Sequence, residues 1–313
     1  MQPATHAVDA WWQGPPSDWL EQAVSIVGAA TLALAIGPIM MATPDDASRT
    51  RGQAPPLAGG EIAAAETIAA FYSGITHTHS SDVKFSKPGG TDLTAHEVGW
   101  IGRPFKSPIY YGLRGIRWPE AGRIGGMVDF THAKAISIRE QSVRFTGTRN
   151  GKPADGAAKV GDTFRHLEFS HGHNMLTVNG LLRLGALTAT VRPYVGGGLG
   201  VSLPHTEVQF LDDAKRTYEY QLTGGVGQAL VGVELRLPRV SVFVEYKFSL
   251  APYRVPLSGL DGGKHNAFLD FWGQLTRWWR GEEPEMGRLA TNLATHHLIG
   301  GVGYRYEAAP AAR

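Results

Sequence analysis

Between Val240 and Leu250, apolar and polar positions alternate without a break. Val240, Val242, Val244, Tyr246, Phe248 and Leu250 hold one parity, and Ser241, Phe243, Glu245, Lys247 and Ser249 hold the other. Successive side chains of a strand point to opposite faces, so the stretch predicts a strand with one greasy face and one ionic face. Leu293–Tyr306 repeats the pattern. Ala294, His296, Leu298, Gly300, Val302, Tyr304 and Tyr306 alternate with Thr295, His297, Ile299, Gly301, Gly303 and Arg305. An apolar outer face, a small or polar inner face and terminal aromatics are what a strand crossing a bilayer requires.

Six further stretches read as strands. They are Ile62–His79, Asp92–Trp118, Ile124–Ile136, Phe164–Leu184, Leu187–Glu207 and Thr217–Leu237. The second is interrupted at Arg103–Pro108. Two prolines cannot sit in a mid-sheet ladder, so Ile109–Trp118 is its membrane part. The sixth changes parity near Gly224–Gly227, which predicts a bulge. Ser80–Gly90 and Arg139–Asp162 read as polar loops, the second with an Asn150-Gly151 turn at its tip. Short connections fall near 119–123, 185–186 and 238–239, and long ones near 80–90, 137–163, 208–216 and 258–290. Eight strands with short turns at one end and long loops at the other predict an all-β, eight-stranded antiparallel outer-membrane barrel. Closure removes the edges that lipid does not tolerate. Eight strands leave an interior filled by side chains, so no porin channel is expected.

Outside the barrel, residues 1–42 contain the apolar run Ala23–Ala42, read as an export signal or an apolar anchor. No Lys or Arg precedes Arg49, and Asp18 and Glu21 stand before the run. Residues 43–60 read as a flexible linker, 61–306 as the barrel and 307–313 as a tail. Within the insertion 258–290, Phe268, Phe271, Trp272, Leu275, Trp278 and Trp279 recur at helical spacing. They predict a short amphipathic helix that lies in the membrane interface or caps the barrel mouth.

Composition narrows the chemistry. Of 313 residues 42% are hydrophobic and 19% charged, which describes a folded chain. With no cysteine, a disulfide framework, a thiolate metal site and a cysteine nucleophile are excluded. A net charge of +2 makes no case for nucleic acid. No CxxC, P-loop, zinc-finger or GxSxG pattern is present.

Chemistry-bearing residues gather at the ends of the expected strands. His77 and His79, His171 and His173, and His205 and Glu207 are pairs spaced by two, a spacing that can grip one divalent metal or simply wet the rim. Strict alternation from Val201 aims His205 and Glu207 outward unless Pro204 bulges the strand. In Asp129-Phe130-Thr131-His132-Ala133-Lys134, His132 offers a proton acceptor and Lys134 an anion contact. The bland alternative is an interfacial cationic rim. Glu245 and Lys247 face inward, where Arg114 completes a charge network. Glu219 and Gln221 can hydrogen-bond a sugar and Tyr220 can stack on one.

Several of these residues lie in longer motifs. Gly99–Arg114 (GWIGRPFKSPIYYGLR), Val128–Lys134, Asn174–Asn179, Arg192–Gly198 with Pro204–Glu207, Tyr218–Gly224 and Val244–Lys247 occur in order, each at a strand end. Together they resemble the outer-membrane lipid A oxidase family over roughly 62–306. The resemblance implies an eight-stranded barrel in the bacterial outer membrane. It also implies oxygen-dependent conversion of the proximal glucosamine of lipid A to 2-aminogluconate, with release of H2O2. Two features depart from the family pattern: the N-terminus lacks a basic start, and the Trp-rich insertion 265–280 is long.

On this reading His132, Glu245, Lys247 and Asp129 are the catalytic candidates. Arg114, Lys134, Tyr111, Tyr220, Gln221 and Arg103 would contact substrate. A divalent metal would be held by His205 and Glu207 with His132, and O2 would be the co-substrate. The expected partners are lipid A or lipopolysaccharide and outer-membrane lipid, met by a monomer. The alternative is a non-catalytic barrel with a lipid-binding, adhesive or structural role. Convergence of His132, His205, Glu207, Glu245 and Lys247 would separate the two. A third reading, a soluble all-β domain behind an anchor, requires the Val240–Leu250 stripe to be covered by protein.

Overall fold

The computed structural model describes residues 65–120, 122–262 and 266–307. The apolar run at 23–42, the linker at 43–60 and the tail after Glu307 lie outside the described residues. In chain order the strands are β1 (Glu66–Thr78), β2 (Ser81–Lys87), β3 (Thr91–Val98), β4 (Trp100–Ile101), β5 (Tyr111–Trp118), β6 (Ile124–Ser137), β7 (Ser142–Arg149) and β8 (Lys152–Pro153). They continue with β9 (Gly156–Lys159), β10 (Phe164–Arg183), β11 (Val191–Ser202), β12 (His205–Phe210), β13 (Thr217–Tyr220), β14 (Gly224–Arg236), β15 (Val240–Pro256) and β16 (Arg288–Glu307).

Eight of them close a cylinder in the order β1-β5-β6-β10-β11-β14-β15-β16, with β16 pairing back to β1. Every neighbouring pair is antiparallel. The closing register runs from Glu66 opposite Glu307 to Thr78 opposite Thr295. These are the eight strands that alternation predicts. Their outer face is apolar and open: Leu199 is 76% exposed and Val178 66%, and Leu113, Val128, Val231, Val244 and Tyr304 are exposed too. The Val240–Leu250 stripe is not covered by a second protein layer, since Val244, Tyr246 and Leu250 are all exposed. Val242 alone of that stripe is buried.

Side chains fill the lumen. Tyr72, Tyr194, Phe243, Ile299, Leu181 and Leu230 form one apolar cluster within it. Gly112 and Gly232 make room for the two tyrosines, because a Cβ at either would overlap the tyrosine ring. Among these rings lies a sealed ionic network. Arg114 donates to Asp129 at 3.2 Å and to both oxygens of Glu245 at 2.8 and 3.0 Å. Lys247 donates to Asp129 at 3.0 Å and to Thr131 at 2.7 Å. The Tyr194 hydroxyl donates to Glu245 at 2.7 Å, and that of Tyr72 to Asp129 at 3.0 Å. All four charged side chains are 0% exposed. Two positive and two negative charges cancel, which a low-dielectric interior demands.

The long-loop end is more ordered than the sequence suggests. Ser80–Gly90 and Arg139–Asp162, expected as loops, contain β2 and β7 to β9. These strands and β3 form a sheet that continues from β16 over the barrel mouth. Short apolar alternations inside charged surroundings build it: Val83, Phe85, Val143 and Phe145 enter one core with Phe164, Met175, Phe210 and Tyr253. The Asn150-Gly151 turn is as expected, with φ of 52° and 75°. The bulge expected at Gly224–Gly227 is absent, and β14 pairs both neighbours without a shift. Parity is reset instead where the chain leaves the sheet, with Gln221 N bonded to Pro204 O and Thr223 N to Ser202 O.

Candidate functional site

The outward face of β5, β6, β10 and β12 at the long-loop rim gathers polar side chains from distant parts of the chain. His132 is the partner of Tyr111 on β5 and of Asn174 on β10. Thr131 reaches the lumen network, so alternation turns His132 to the outer wall. There its ring stacks on Tyr111, centroids 4.8 Å apart and 21° between planes. The Nδ1 of His132 lies 2.7 Å from Asn174 Oδ1, and Asn174 Nδ2 donates to Leu203 O at 3.1 Å. That second bond fixes the amide, so Asn174 accepts Nδ1–H and leaves Nε2 with its lone pair. Nε2 is buried with no hydrogen-bond partner. Lys134, one rung higher, donates to Lys106 O at 2.5 Å and holds the loop that carries the exposed Arg103.

Above the wall, β10 and β12 pair with Glu168 opposite Glu207. The fifth strand was expected to reach Glu207 but ends at Ser202. Past Pro204 the chain stays beside β10 and exchanges β14 for β13 as its other neighbour. Val208 and Phe210 enter the core, so His205 and Glu207 take the opposite face. His166 Nδ1 lies 3.1 Å from Glu168 Oε1 and 3.3 Å from Glu207 Oε1. Arg216 donates to Glu207 Oε1 at 2.8 Å and to Asp261 at 3.0 and 3.2 Å. His205 packs edge-on to Tyr218 and Tyr220, at 4.4 and 4.7 Å. Burial raises the Glu207 carboxyl above its usual range, opposed by His166 and Arg216.

Register decides the other histidines. β10 is irregular between Phe169 and His173. Within that bulge Gly172 has φ +145° and a Cβ there would meet the Asn174 amide. The bulge separates two residues expected on one face. His171 packs beside His205 at 5.1 Å, whereas His173 turns inward to the Tyr253 hydroxyl. His77 and His79 do come together, with His296, on the β1–β16 wall.

The single catalytic constellation expected from the sequence therefore divides. His132, Lys134, Tyr111, Tyr220, His205, Glu207 and Arg103 share the outer rim. Asp129, Glu245, Lys247 and Arg114 lie in the lumen with their charges mutually bonded, so they do not meet His132. Gln221 is also inside, 0% exposed and bonded to Glu219 and Pro256 O, because its strand ends before it. Sequence reasoning missed His166, Glu168 and Arg216 as members of the rim patch. The His166-x-Glu168 spacing was a legible signal for the first two.

Beside the patch lies the helix Ala267–Trp279 expected in the last long loop. Asp270 in its first turn and Arg277 in its last complement the helix dipole. Its polar stripe faces the protein. Asp270 accepts from Tyr220 N at 3.0 Å, Gln274 bonds both backbone atoms of Leu222, and Arg277 reaches Glu219 at 3.4 Å. Its apolar stripe faces out: Phe268 is 77% exposed, Trp278 75% and Trp279 89%. This is the reverse of a helix packed on a water-soluble surface.

A closed wall, apolar outside, filled inside and edged by short turns at one end only, is the architecture of an outer-membrane β-barrel. Among the described residues no helix is long and apolar enough to cross a membrane. No protein-family model matches the chain. No curated protein matches it either. Among solved structures, Neisserial surface protein A is 10% identical, with a TM-score of 0.34 over 77% of this chain and 99% of that one. The outer-membrane protease OmpT from Escherichia coli is 7% identical, with a TM-score of 0.35 over 77% and 97%. Likeness this distant bears on neither activity nor substrate.

Proposed function

We propose that this barrel is an outer-membrane oxidase acting on the sugar headgroup of lipid A. One observation carries the reading. The segments that resemble the lipid A oxidase family are scattered from Gly99 to Lys247; the last turns Glu245 and Lys247 into the lumen, yet Arg103, Tyr111, His132, Asn174, His205, Glu207, Tyr218 and Tyr220 from the others gather on one outward patch. That patch stands at the upper edge of the apolar wall, where the glucosamine of a lipid lies when its acyl chains lie along the wall. Arg103 and Lys106, with Lys134 beneath, supply positive charge for headgroup phosphates.

The reaction removes the C1–H and O1–H hydrogens of a reducing-end glucosamine, two electrons and two protons in all. They pass to O2, which leaves as H2O2. Water then opens the resulting lactone to aminogluconate. On this reading His132 takes the O1–H proton at Nε2, the buried nitrogen that Asn174 leaves with its lone pair. Purified protein incubated with lipid A under air is expected to give product heavier by one oxygen atom, with peroxide in equal amount, and none under argon. Binding of lipid A without oxidation would leave a lipid-binding barrel.

The outward tryptophans support a lipid-facing flank. In bilayers with brominated acyl chains, tryptophan emission of the wild type is expected to be quenched more than that of a Trp278→Phe/Trp279→Phe variant. Equal quenching would place the helix in water. At an interface the two indoles replace contacts that water would otherwise break, as amphipathic surface helices do.

A further inference from the structure

We infer that His166, Glu168 and Glu207 form a binding site for one divalent transition ion, with His171 within reach as a fourth ligand. This site differs from the His205–Glu207–His132 set that the sequence suggests, and it shares only Glu207 with the patch proposed for the lipid headgroup. One ligand atom from each of the three residues lies within 4.8 Å of the others. The separations of 3.1 and 3.3 Å from His166 Nδ1 match those between ligands that each lie about 2.0–2.2 Å from a shared ion. The scaffold is rigid. His166 and Glu168 alternate on β10, and Glu207 is the direct partner of Glu168 across the pair. His171 Nδ1 stands 4.0 Å from the second Glu207 oxygen, on the bulge.

The guanidinium of Arg216 is divided between Glu207 and Asp261, and Lys134 acts on Glu168 from β6. His132 lies beside Asn174, whereas Glu168 lies beside Ile136, two outward rungs higher on β6. His205 is engaged by two tyrosine rings. Neither is in the ligand set. A cleft of about 430 Å³, lined by Arg165, His166, Gln209, Lys215, Arg216 and Asp261, opens directly onto His166. The ion would thus keep a coordination position facing the cleft, open to water or to an oxygen of an anionic ligand drawn in by Arg165, Lys215 and Arg216. One imidazole with two carboxylates suits Mn²⁺, Fe²⁺ or Zn²⁺ rather than a soft ion.

The test is stoichiometry. Chelator-treated full-length protein in detergent is titrated with Mn²⁺, followed by electron paramagnetic resonance, and with Zn²⁺, followed by calorimetry. One ion per chain is expected. His166→Ala and Glu207→Gln should each weaken binding by roughly 100-fold or more, beyond the 10- to 100-fold of an outer-shell partner. Glu168→Asp should retain part of it, and His205→Ala should bind as the wild type. Heat-modifiable electrophoretic mobility checks that each barrel is folded, and the substitutions lie above the lipid-facing wall. Absence of a stoichiometric ion in the wild type, or loss in His205→Ala with retention in His166→Ala, would overturn the assignment. Because the readout is binding alone, an inactive protein that still holds the ion would sink the oxidase reading and leave this one standing.

Discussion

An Arg114→Leu barrel is expected to lose about 3–5 kcal/mol of stability, the cost of leaving a buried charge unpaired. Arg114 is the sole cation on Glu245 in the lumen network and one of two on Asp129. Its removal leaves Glu245 held by the Tyr194 hydroxyl alone. The measurement is urea unfolding of the barrel in lipid vesicles, read by electrophoretic mobility with and without heating. The companion Arg114→Leu/Glu245→Leu is expected to recover most of the loss. It keeps the Lys247–Asp129 pair and restores neutrality, which separates charge balance from simple packing. A single variant within 1 kcal/mol of wild type, roughly the median for exposed ion pairs, would mean that the network is solvated after all.

His132→Ala is expected to lower the rate of lipid A oxidation about 10²- to 10⁴-fold, the usual worth of a positioned general base. KM should change little, because Lys134, Arg103 and the apolar wall still bind the headgroup and chains. Asn174→Leu should fall between the two proteins. It keeps the imidazole but loses the bond that sets its tautomer. Initial rates of product formation by mass spectrometry decide the matter. Retention of activity within a few-fold in His132→Ala would remove the histidine from the chemistry.

How far the chain could be read depends on which forces act locally. The wall was legible because lipid on one side and packed polar groups on the other force strict alternation. Val240–Leu250 and Leu293–Tyr306 therefore show their faces residue by residue. Parity also turned Arg114, Asp129, Glu245 and Lys247 inward correctly. It could not show that they satisfy one another, since pairing across the lumen depends on which strands face each other after closure. The cap was illegible for the opposite reason. β2 and β7 bury only alternate residues, so their charged outer faces read as loop, and β3 read as the start of the wall strand that ends at Trp118. The rim patch turned on the bulge at Ser170–Gly172, which moves His171 to the outer face without altering composition and left only Gly172 as its trace. At Pro204 the alternation from Val201 holds, so His205 and Glu207 keep the outward face that parity gives them.

A plain cylinder meets its lipids from every bearing alike. The helix Ala267–Trp279, bound to the barrel by its polar side, ends that symmetry: it stands against Tyr220, and its tryptophans reach outward from the same flank that holds the rim patch. On the proposed function, diffusing lipid would be productive only along that arc, so the two-dimensional approach to the protein would have a heading, and crowding by neighbours on that side alone would be enough to silence it.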